Sequence, residues 1–146
     1  MSTRTLHFGG LLLLAAALLA AAEAHSFAAP QGKFDRLTDA DRKALAERFQ
    51  KDIWPLLERG GKDGCVGCHN GKRVTALRFN GDAAKDFPML VGDGFLLKGD
   101  PGSLLERIVD KDKKRRMPPD NRPVWSDAEI KVLRDFVQEL DRKNKL

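Results

Sequence analysis

The chain has only two cysteines, and they stand three residues apart with a histidine directly behind them: Cys65-Val66-Gly67-Cys68-His69. No other feature limits the fold as strongly. Residues three apart lie on one face of a helical turn, so this spacing aims both thiols the same way and puts an imidazole beside them. Two cysteines cannot make a disulfide scaffold. A structural zinc ion needs four ligands; here the donors are Cys65, Cys68, His69 and at most the distant His25. A dithiol redox pair normally accompanies a βαβ pattern, and none is legible. A plain disulfide between the two thiols is sterically allowed.

C-x-x-C-H is the attachment sequence for c-type haem. Both thiols can add to the two vinyl groups along one porphyrin edge, and the next residue then lies under the iron. On this reading Cys65 and Cys68 are thioether tethers and His69 is the proximal axial ligand. The second axial ligand has two candidates beyond residue 25, Met89 and Met117. Met117 stands between a charged segment and Pro118-Pro119, which stiffens the backbone. Met89 follows Pro88 in a Gly-rich stretch. A thioether ligand favours ferrous iron and raises the reduction potential relative to two histidines.

The first 24 residues read as a secretory signal peptide. Arg4 precedes an apolar run from Phe8 to Ala22, and Ala22-Glu23-Ala24 offers small residues at a cut site. The run is short for a membrane span; the bland alternatives are an uncleaved anchor or a buried helix. Export makes the chain periplasmic or secreted, without a stable membrane span after cleavage. Residues 25–37 mix Ser, Ala, Pro and Gly without period and read as a flexible lead-in. Residues 38–146 form the folded domain.

Thr38 or Asp39 opens a helix whose apolar stripe is Leu45, Phe49 and Ile53. Pro55 must kink or restart it, and Gly60-Gly61 stops it. Residues 71–102 hold six glycines and no clean period, so they read as turns and loop. Ser103 caps a short helix with Leu104, Leu105 and Ile108 on one face. Asp110 to Arg116 is a charged loop, and Met117-Pro118-Pro119 is not helical interior. Ser126 and Glu129 form a capping box, with Trp125 and Ile130 at the staple positions. Ile130, Leu133, Phe136, Val137 and Leu140 make the buried stripe of that last helix. The fold class is therefore all-α, a small helical domain with long loops.

The signal peptide, Cys65–His69, Ser103–Ile108, Arg116-Met117-Pro118-Pro119 and Trp125–Ile130 occur in that order. Together they resemble the class I c-type cytochrome domain, and within it the bacterial planctomycete-type modules. The resemblance spans roughly residues 40–140. It implies a cytochrome c-like fold wrapped around one covalent haem c, with the terminal helices crossing near it and Met117 as the distal ligand. Such a chain is an electron carrier rather than an enzyme, because two protein ligands leave iron no position for substrate. The alternative is a haem-based sensor or small-ligand binder with a labile sixth ligand. Leu77, Phe79, Leu105, Ile108, Leu133 and Phe136 are the apolar candidates for packing on the porphyrin.

The chain carries 26 Lys and Arg against 21 Asp and Glu, a net charge of +5. That excess is too small to argue for nucleic acid. Its densest part, Lys111, Lys113, Lys114, Arg115 and Arg116, immediately precedes Met117 and would suit an acidic redox partner; the plain reading is a solvated loop.

Overall fold

Thr38 starts the first helix, α1 (Asp39–Arg48), as a reciprocal cap. Its hydroxyl accepts from the Asp41 N–H at 3.1 Å and donates to the Asp41 carboxylate at 2.6 Å. The computed structural model describes residues 34–72, 76–119 and 125–145, and every element among them is helical. The expected signal peptide at 1–24 lies outside the described residues. No helix among those described is long and apolar enough to cross a membrane.

Pro55 shapes the end of α1. It has no N–H to give, and the chain widens into a π-helical turn, Phe49–Ile53, in which the Trp54 N–H reaches back five residues to Phe49 O. Helix α2 (Trp54–Glu58) restarts with Pro55 in its first turn. Gly60, at φ 88°, ends it in the left-handed region open to glycine. A 3₁₀ turn (Gly61–Asp63) then leads into α3 (Cys65–Cys68).

Of the expected lead-in at 25–37, residues 25–33 lie outside the described residues, and 34–37 pack on the domain. Phe34 and Leu37 are buried, Arg42 donates to Phe34 O at 2.9 Å, and the Arg36 N–H donates to Asn144 at 3.3 Å. The folded domain thus includes residues 34–37, because two large apolar side chains there have core to cover.

The Gly-rich stretch holds a further correction. It contains a ten-residue helix, α4 (Ala83–Gly92), capped by the Asp82 carboxylate on the Ala84 N–H at 2.8 Å. Its buried face is Ala83, Phe87, Leu90 and Val91, a helical period that Pro88 disguises. Proline in a helix interior leaves the carbonyl four residues back without its donor. Here Pro88 and that residue, Ala84, are both exposed, so water can serve the carbonyl.

Ser103 caps α5 (Leu104–Val109), as expected. Helix α6 (Asp127–Lys145) opens on the capping box: the Ser126 N–H donates to Glu129 at 2.8 Å, and the Glu129 N–H donates to the Ser126 hydroxyl at 3.4 Å. Leu133, Phe136, Val137 and Leu140 are its buried stripe. Helix α6 is joined to α1 by the pairs Arg48–Glu139 and Lys143–Asp41. At the centre the Phe49 ring stands 5.3 Å from Phe87 and 6.0 Å from Phe136, a cluster drawn from three elements.

Candidate haem-attachment site

The two thiols and the imidazole are carried by α3 and its end. Gly64 precedes α3 in extended conformation, and His69 follows it with its N–H donating to Cys65 O at 2.9 Å. The turn sits directly on the preceding chain. A Cβ on Gly67 would meet Gly61 O at 2.1 Å, and one on Gly64 would meet Arg59 O at 2.0 Å. Both neighbours are backbone and cannot swing aside. Nothing in a one-dimensional pattern marks these two glycines as contact points.

Cys65 and Cys68 are free thiols, each half-buried; no disulfide joins them. Burial pushes the Cys65 thiol up to about 11. The Cys68 sulfur lies 3.6 Å from Lys62 O, a weak S–H donor contact. The His69 Nδ1 lies 3.2 Å from Leu77 O. An Nδ1–H donating to that carbonyl puts the lone pair on Nε2, the atom a metal would take. The same segment holds His69 a second time: the Phe79 N–H donates to His69 O at 2.7 Å. The Phe79 ring stands 6.5 Å from the imidazole, edge to face at 84°.

The Met-Pro-Pro segment comes to the same region. A cavity of about 220 Å³ is lined by Leu56, Arg59, Gly64, Cys65, Pro118 and Trp125. Trp125 also lines a wider cleft of about 570 Å³ with Ile108, Arg116, Met117 and Ile130. Met117 is half-buried and pinned to the end of α5, its N–H donating to Arg107 O at 2.8 Å. Met89, the other candidate, lies on α4 and packs against the core. Glu129 of the capping box pairs with Arg59, tying the start of α6 to the chain just before α3.

Not all of the expected apolar lining faces this region. Leu133 and Phe136 are fully covered by protein, Phe136 by Phe49 and Phe87. Leu77 is half-buried, Phe79 buried. The donor set fits a tethered haem: two thiols on one turn, and an imidazole with its Nδ1 already engaged. No group of three or more His, Cys, Asp or Glu converges among the described residues; His25 lies outside them.

The basic loop is folded rather than slack. The Asp112 carbonyl accepts from the Arg115 and Arg116 N–H groups, each at 2.9 Å, and Arg115 pairs with Asp110 and Asp112. Lys111, Lys113 and Lys114 remain exposed on its outside.

Sequence reasoning missed one buried polar residue, Asp86, which is wholly inside the protein. Its position in α4 is the signal that could have exposed it, once that helix is recognised. Comparison with protein-family models, curated proteins and solved structures finds no match to this chain.

Proposed function

We propose that this protein is an exported monohaem c-type cytochrome that passes single electrons to a redox partner protein. Cys65 and Cys68 are its thioether tethers, His69 the proximal ligand and Met117 the distal one. One observation carries the reading: two thiols on a single helical turn, followed by an imidazole whose Nδ1 is held at 3.2 Å by Leu77 O.

Haem c, when bound, supplies a one-electron iron couple. The chain's own residues do the rest. His69 presents Nε2, and the Leu77 carbonyl fixes the ring and raises its basicity. Met117 approaches from a segment stiffened by Pro118 and Pro119 and tethered to Arg107 O. His69 and Met117 would together hold the iron and leave it no place for substrate, the arrangement of a carrier rather than an enzyme.

The test is a reduced-minus-oxidised absorption spectrum with intact mass, on full-length protein expressed beside cytochrome c maturation machinery. The expected result is one haem retained after denaturation and a mass lacking residues 1–24. Colourless protein with only its polypeptide mass overturns the reading. Met117→Ala is expected to lower the potential and to admit carbon monoxide rapidly to the reduced protein. An unchanged spectrum moves the ligand assignment to Met89. Rapid carbon monoxide binding by the unmodified protein favours a sensor instead of a carrier.

A further inference from the structure

Asp86 has no part in the site as derived so far, yet it is among the most completely buried side chains of the protein. Burying a carboxylate costs several kcal/mol unless it is well bonded. This one accepts four N–H bonds: from the Asn80 backbone at 2.7 Å, the Asn80 side-chain amide at 2.8 Å, Gly81 at 3.1 Å and Asp82 at 3.3 Å. Capping α4 does not require it, since Asp82 does that from the surface. What Asp86 holds is the chain running back towards the imidazole. Three residues before Asn80, the Leu77 carbonyl meets His69 Nδ1; one residue before it, the Phe79 N–H meets His69 O.

We propose, resting on the haem reading above, that Asp86 is a positioning residue for His69. It clamps residues 80–82 to the first turn of α4, and this rigid segment delivers the Leu77 carbonyl to the ring. The carbonyl then sets which nitrogen carries the proton and how strongly the other one donates. A ligand's hydrogen-bonded partner tunes the metal in this way; here a carboxylate holds residues 80–82, just beyond the segment that carries that partner. Loss of the clamp lengthens the Nδ1–H···O bond, reduces the basicity of Nε2 and raises the reduction potential.

The experiment uses the full holoprotein and the variants Asp86→Asn and Asn80→Ala. The asparagine keeps the shape of Asp86 but turns an NH₂ group towards two of the four donors. Asn80→Ala removes one bond from an exposed residue and keeps the test alive if the first variant does not fold. In reduced wild-type protein the His69 Nδ1–H is expected as a slowly exchanging resonance. Its exchange should quicken about tenfold in Asp86→Asn, roughly one hydrogen bond's worth. The potential should rise in both variants, less in Asn80→Ala. A lowered melting temperature with unchanged Nδ1–H exchange and potential reduces Asp86 to a stability role and overturns the proposal. Haem-free wild-type protein overturns the cytochrome reading alone. The ¹⁵N shifts of His69 report its tautomer without haem, and they then decide the positioning role: the same tautomer in wild type and variants rejects it.

Discussion

Cys65 is half-buried, and burial pushes its thiol up to about 11 from the ordinary 9.0. The sign of the consequence is definite. With the folded value raised, the buried neutral thiol contributes stability in full below pH 9 and loses that contribution as pH rises through 11. Alkylation of the haem-free chain by iodoacetamide, followed by mass, should find Cys65 about tenfold or more slower than a free thiol at pH 8. Equal rates would place the sulfur in water. Gly67 offers a second check. Gly67→Ala forces its methyl against Gly61 O, so it should cost about 1–3 kcal/mol and reduce the yield of covalent haem. An unaltered melting temperature and yield would contradict that close approach. That Cys65, Cys68 and His69 lie together on one turn was legible, because it follows from their fixed spacing. Gly64, Gly67 and Asp86 were not, because each acts on backbone that only folding brings near.

Among the elements, α6 was legible almost residue by residue, since its cap, staple and stripe are all local. Ser126→Ala removes both hydroxyl bonds with Glu129 and leaves the backbone one; it should cost about 1 kcal/mol, a fall of about 5 °C in melting temperature by circular dichroism. No change would mean that the Arg59–Glu129 pair alone anchors the helix start. Helix α4 was hidden for a reason equally physical. Pro88 and the flanking glycines are each unfavourable to helix, and local preference points to loop. Burial of Phe87, Leu90 and Val91 outweighs the roughly 3 kcal/mol of an interior proline. The widened turn at Phe49–Ile53 shows the opposite balance: there the backbone before Pro55 changes from α to π.

For the whole molecule, the charges divide by location. Asp41 is held below the ordinary carboxylate range by its bonds with Lys143 and Thr38, so this acid serves the contact between α1 and α6. Lys111, Lys113 and Lys114 instead point outward from the loop that ends at Met117. If that edge receives the redox partner, Lys113→Glu/Lys114→Glu should slow electron exchange with an acidic protein about tenfold at low salt. Stopped-flow mixing at two ionic strengths measures it. Rates independent of both charge and salt would make the loop a solvated surface only.

The order of residues alone determined the helical class, the capped helices at either end, and the thiol–thiol–imidazole constellation, because helix periodicity, capping and C-x-x-C-H spacing are short-range properties. Tertiary structure alone decided that Phe34 and Leu37 belong to the core, that a proline-bearing segment is helix, and that Pro118 reaches the cavity wall beside Cys65. It also decided that a buried carboxylate on α4 braces the segment touching His69. These outcomes depend on which distant groups meet and what water they displace, and local preference has no access to that free energy.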